Sequence, residues 1–154
     1  MTNFTLLTGL LSEDREHGTY KTPLFYTFKL FSNNCRGSSV NTYVECDTFN
    51  TEAYKNIPYL DVSSVYSKET KTVYINVVNR HKEKSITTDI LSSSGEFKGK
   101  AEASLLNFPL DEKFTYDKEE QYKPETEQIN TQGNRLSCSF PAHSFTQIKV
   151  QVKD

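Results

Sequence analysis

A chain of 154 residues is long enough to bury one hydrophobic core and too short for an ordinary eight-stranded β/α barrel. Lys and Arg number 18 against 20 Asp and Glu, a formal net charge of −2 that gives no steering toward nucleic acid or an anionic membrane. No apolar run approaches the roughly 20 residues of a membrane helix, and the first residues lack the basic and long apolar regions of a secretory signal.

Residues 1–21 read as a flexible lead-in, because Ser12 to Gly18 is polar and punctuated. A helix is expected over 22–36. Thr22 suits the N-cap and Pro23 the first helical position. Leu24, Phe25, Phe28 and Phe31 fall at i, i+1, i+4 and i+7 on one apolar stripe, which Tyr26 and Leu30 broaden, and Asn33, Asn34 and Gly37 end it. The stripe carries more large apolar side chains than one sheet domain requires, which points to a partner surface outside the chain.

Residues 37–154 read as strands and turns. A short strand is expected over 40–46 and a connection over 49–58. Residues 57–90 then hold two β-branched alternating runs joined by a charged turn, Tyr59 to Tyr66 and Thr72 to Arg80, with a third run from Ser85 to Ile90. That pattern predicts a three-stranded meander. Another strand is expected over 101–107 and a long surface connection over 111–127. Leu136 to Phe140 and Ser144 to Val152 read as a closing hairpin, with Cys138 facing the core and Phe145 on the face opposite Ile148, Val150 and Val152. Nine Tyr and ten Phe, with no Trp, suit packing on pleated surfaces. The fold class expected is all-β, an antiparallel sandwich of jelly-roll type with one N-terminal amphipathic helix.

Chemistry-bearing motifs are sparse. The nucleophile patterns GxSxG, SxxK and HExxH are absent. The Ser92 to Gly95 run is a small polar turn, and Gly95 to Lys100 lacks P-loop spacing. Cys35, Cys46 and Cys138 are odd in number and without CxxC spacing, so neither a disulfide framework nor a zinc site is expected. His17, His81 and His143 lie far apart, each in a turn. A glycoside hydrolase needs two facing carboxylates, and Asp61, Asp89, Asp111, Glu119 and Glu120 are available, but nothing selects a pair. Tyr43, Tyr54, Tyr59, Tyr66, Tyr74, Tyr116 and Tyr122 could supply a sugar-stacking platform or simply fill the sandwich.

Four segments carry a resemblance. Thr22 to Ser32 (TPLFYTFKLFS) looks like the "TPxYYxFKLFS" segment of the α-L-arabinofuranosidases of glycoside hydrolase family fifty-one. Tyr59 to Ser63, followed by Val73 to Arg80, resembles that family's "YLDVSAS…VVNR" signature. Gly99 to Leu106 and Phe140 to Ile148 are similar to its later strands. The resemblance spans about Thr22 to Val152 and departs from the family where Lys113-Phe114-Thr115-Tyr116 replaces an "NTF"-like phrase. It implies that the helix is the last of a catalytic barrel and that the strands form the C-terminal β-sandwich behind it. Both catalytic glutamates would lie in the barrel, so no catalytic, cofactor-binding or metal-binding residue is carried over to this chain, and no cofactor is implied. The implied partner is the barrel, met through Phe25, Phe28 and Phe31. Arabinan or arabinoxylan would be met only through the parent enzyme, in which the domain could also support homo-oligomer contacts. The resemblance also implies a strand contributed from the parent's far N-terminus, without which one sheet edge is unpaired. A carbohydrate-binding module and a self-sufficient hydrolase are the alternatives.

Overall fold

The structure is a computed structural model and describes residues 9–153. An eight-stranded antiparallel sheet, in the order β3-β6-β7-β12-β9-β10-β11-β8, folds over on itself to make the sandwich expected from the sequence. β6 (Leu60–Ser67), β7 (Thr72–Asn79), β12 (Ser144–Val152) and β9 (Phe97–Leu106) form the centre of the larger layer, with β3 (Ser38–Val40) at its edge. β11 (Arg135–Phe140) and β8 (Ile86–Leu91) form the smaller layer. β10 (Glu125–Gln132) joins the two: its residues 125–130 pair with β9, and Thr131 and Gln132 pair with β11.

The core lies between the layers. Strand alternation points Ile75 and Val77 of β7, Ile148 and Val150 of β12, and Ala101 and Ala103 of β9 inward. They meet Leu136, Cys138 and Phe140 of β11. Cys138 is buried, as its spacing with Leu136 and Phe140 required, and desolvation pushes its thiol up to about 11.

Two pairings differ from the sequence reading. β8 does not continue a meander from β7. It crosses to the other layer and pairs with β11, while the second neighbour of β7 is β12. β11 and β12 are likewise not a hairpin: they arch across the sandwich and face each other through the core. Both corners are tied by Asn79. Its buried Nδ2 lies 3.0 Å from the Lys84 carbonyl and 2.9 Å from those of Phe140 and Pro141, and its Oδ1 accepts the His81 N–H.

Other elements depart more locally. The segment 11–21, expected as a loop, is a hairpin of β1 (Leu11–Asp14) and β2 (Gly18–Lys21). Asp14 Oδ1 accepts the N–H groups of Glu16 and His17 in its turn, and Gly18 takes φ +89°, which favours glycine. The rest of the lead-in, residues 1–8, lies outside the described residues. Of the strand expected over 40–46 only Val40 is in a strand, as the last residue of β3, and the connection over 49–58 contains part of the short ladder of β4 (Thr48–Phe49) with β5 (Ile57–Pro58). The connection over 111–127 contains a 3-10 helix (Tyr116–Tyr122) and the start of β10.

Helix α1 (Pro23–Asn34) has Thr22 at its N-cap and Pro23 in its first turn, as expected. The Thr22 hydroxyl does not cap the helix. It donates to the carbonyls of Gly9 and Leu10, at 2.9 and 3.2 Å.

Candidate functional site

The outer face of the larger layer, opposite the core, is where α1 lies, and two different chemistries hold it there. Near the start of the helix, buried Tyr26 and half-buried Phe25 join a second apolar cluster with Tyr20, Leu106, Phe108, Tyr122 and Phe145. Tyr122 is only 1% exposed, and its hydroxyl donates to the Thr115 carbonyl at 3.1 Å. The Tyr20 hydroxyl donates to the Phe114 carbonyl at 2.8 Å. The connection expected to be surface therefore lies against the helix through its aromatics.

At the other end of α1 the contact is polar. Ser63, Asn76 and Gln147 are cross-strand neighbours on the outer face of β6, β7 and β12. Gln147 Nε2 donates to Asn76 Oδ1 at 2.7 Å, and Asn34 of the helix donates from Nδ2 to Gln147 Oε1 at 2.6 Å. Asn76 Nδ2 donates to Cys35 Sγ and Ser63 Oγ, both at 3.4 Å. Asn76 and Gln147 are buried with these partners made, which is the condition for a buried amide network to hold a structure rather than weaken it. Gly37 then lets the chain pass close to β6, since a Cβ there would stand 2.1 Å from the Tyr66 carbonyl oxygen.

One further stripe of the helix is apolar and uncovered, beside exposed Lys29, Ser32 and Asn33. Leu24, Phe28 and Phe31 are 41%, 44% and 39% exposed and follow one another at i, i+4 and i+7. Phe31 packs on Phe145 of β12, with ring centroids 5.6 Å apart, and the register neighbour of Phe145 is Val78, itself 38% exposed. The helix stripe thus runs onto the sheet as a single apolar surface. Of the three residues expected at a partner face, Phe28 and Phe31 are exposed, whereas Phe25 is half-buried and turned toward the cluster around Tyr26.

The carboxylates of the sequence reading are dispersed. Asp61 stands on the outer face of β6, paired with Arg80, and Asp89 on the outer face of β8 in the opposite layer, 2.5 Å from Arg135. The thickness of the sandwich separates them. Glu119 binds Lys21 Nζ at 3.0 Å, which with the Lys21 N–H holds its carboxyl below the usual range, and Glu120 pairs with Lys123. Asp111 is on the exposed segment before the 3-10 helix. His17 stacks on Tyr116 beside Asp14, His81 contacts Tyr59, and His143 Nδ1 lies 2.9 Å from the Lys82 carbonyl. Among the described residues no three His, Cys, Asp or Glu side chains converge as a metal site would require. Of the seven tyrosines, Tyr74 and Tyr122 are buried, while Tyr43 and Tyr54 are exposed on the loop before β6.

The model of the α-L-arabinofuranosidase C-terminal domain matches residues 6–144, taking in α1 and every strand before β12. The chain belongs to this family. A probable α-L-arabinofuranosidase C of Aspergillus terreus is 26% identical over 86% of this chain, which spans 26% of that protein's length. Among solved structures, the α-L-arabinofuranosidase of Thermotoga maritima superposes with a TM-score of 0.81 over 96% of this chain and 32% of its own, at 23% identity. The thermostable family fifty-one enzyme of Thermotoga petrophila superposes at 0.82 over 97% of this chain and 33% of its own, also at 23% identity. These superpositions establish the arabinofuranosidase C-terminal fold, helix included. The chain therefore spans about a quarter to a third of the length of such relatives.

Proposed function

We propose that this chain is the non-catalytic C-terminal domain of an α-L-arabinofuranosidase, and that it packs on and stabilises the parent's catalytic barrel. The parent would hydrolyse terminal non-reducing α-L-arabinofuranosyl residues of arabinan or arabinoxylan by the two-carboxylate route. The observation that carries this reading is that α1 is buried on one side only while a second side is apolar and uncovered. One side is fixed to the sandwich by the Tyr26 cluster and the Asn34–Gln147 bond, while Leu24, Phe28 and Phe31 remain uncovered and continue into Phe145 and Val78. A helix built this way belongs to two layers, and an apolar face of this kind marks an interaction surface. The separation of Asp61 from Asp89 on opposite outer faces weighs against a hydrolase contained in this chain.

The test is turnover of an aryl α-L-arabinofuranoside by the purified chain, alone and joined to a catalytic barrel of the family. The expected result is no turnover alone and turnover only with the barrel. Hydrolysis by the chain alone, abolished by Asp61→Asn or Asp89→Asn, would overturn the reading.

A further inference from the structure

Val78, where the apolar surface of α1 reaches the sheet, has a charged neighbour. Its register partner across β6 and β7 is Asp61, as Phe145 is across β7 and β12. Cross-strand partners on one face stand about 5 Å apart between their Cβ atoms. Asp61 is ion-paired with Arg80, which follows the end of β7. The row Phe31, Phe145, Val78, Asp61 therefore runs unbroken from the helix to an ion pair.

The pair is held in place by the chain itself. The Arg80 N–H donates to the Tyr59 carbonyl at 2.8 Å, its Nη1 donates to the Pro58 carbonyl at 3.3 Å, and its Nη2 donates to Asp61 Oδ2. Both side chains still reach solvent, Asp61 at 56% and Arg80 at 34% exposure. An exposed pair of this kind adds little to the stability of a free chain, because water already solvates both charges.

We infer that the Asp61–Arg80 pair belongs to the barrel-docking surface and fixes the orientation in which the barrel seats. The inference rests on the docking proposed above. Leu24, Phe28, Phe31, Val78 and Phe145 supply apolar area, but apolar burial is non-directional and tolerates small shifts and rotations. A barrel that covers this stripe also closes over the adjoining charges and removes their water. Each charge then depends on the other, and a seating that separates them or strands one against apolar surface is penalised. Because Pro58 and Tyr59 already hold Arg80, little side-chain freedom is lost on docking. The pair thus matters little to the free chain and much to the complex, whereas a pair serving only the fold would show its effect in the free chain.

The experiment is a double-mutant cycle of Asp61→Asn, Arg80→Met and the double variant. Each form is read twice, as the urea midpoint of the isolated chain and as affinity for a barrel of the family by calorimetry. The midpoints should coincide with that of wild type, which also shows that every variant folds. Each single variant should bind the barrel about 30-fold more weakly, since it leaves the remaining group unpaired in the interface, and the double variant should recover most of that loss. Single variants that bind as wild type does, a double variant whose loss is the sum of the two, or midpoints that fall in step with affinity would overturn the inference while leaving docking through Phe28 and Phe31 intact. Absence of a complex with wild type would instead overturn the docking itself, and this inference with it.

Discussion

Gln147 of β12 donates to Asn76 of β7 at 2.7 Å on the outer face of the sheet, and the same Gln147 accepts from Asn34 at the last position of α1. Apolar packing against Tyr26 could slide. This amide-to-amide bond fixes the register of helix on sheet.

Gln147→Ala should therefore cost more than a surface deletion. It takes the Gln147 partner from half-buried Asn34 Nδ2 and from buried Asn76 Oδ1, and the expected loss is about 1–3 kcal/mol in urea-monitored unfolding. Hydrogen exchange should rise selectively in the last turn of α1. Uniform exchange across the chain, or a loss within about 0.5 kcal/mol, would remove the latch from the account.

Gly37→Ala tests the crossing that follows the helix. The added methyl would meet the Tyr66 carbonyl at 2.1 Å, so backbone must move, and a destabilisation of about 1–3 kcal/mol or more is expected. Gly133→Ala makes a useful contrast, since a Cβ there meets nothing within 4 Å and only its φ of +59° resists.

The Cys138 thiol gives an alkaline signature. Its folded pKa, about 11, stands above the ordinary thiol value of 9.0, so the folded state holds the proton longer than the unfolded chain. Its contribution is complete below pH 9.0 and is lost as pH rises toward 11. Wild-type stability should fall across that window more steeply than that of Cys138→Ala, measured as urea midpoints. Parallel profiles would contradict the burial of the thiol. At neutral pH Cys138 should resist iodoacetamide until the chain unfolds.

At the acid end, Glu119 is the group to follow. Lys21 holds its carboxyl below the usual range, so the stability contributed by the contact between β2 and the 3-10 helix is present above the ordinary carboxylate range and is lost as pH falls through the depressed value. Glu119→Gln should flatten the acid limb of the unfolding profile. An unchanged limb would mean that this exposed pair contributes nothing.

The sequence made some of this legible and concealed the rest for physical reasons. β7 stands out because Thr72, Val73, Ile75, Val77 and Val78 make five of its eight residues β-branched, and α1 because Pro23 and the spacing of its aromatics are local signals. The pairing of β8 is hidden because alternation reports which face a strand buries and not which neighbour it takes. What sends β8 to the other layer is Asn79, whose bonds to Lys84, Phe140 and Pro141 link residues up to 62 positions apart. The arch between β11 and β12 is concealed in the same way. β10 escaped because in ETEQINTQ only Ile129 packs against the core, and its place is given by ladders with β9 and β11. At the candidate site, Phe28 and Phe31 could be read from helical spacing, whereas the inward turn of Phe25 depends on Tyr20 and Tyr122, which no local pattern connects to the helix.

The central claim is that the uncovered face of α1 receives the catalytic barrel, and the most direct measurement is association of this chain with the barrel of its own parent enzyme, or of a family member, followed by calorimetry and size-exclusion chromatography. Wild type should form a 1:1 complex, and Phe28→Ser/Phe31→Ser should abolish it while changing the stability of the isolated chain little, because both rings are already exposed. A complex that forms equally well with the double variant, or no complex with wild type, would contradict the account.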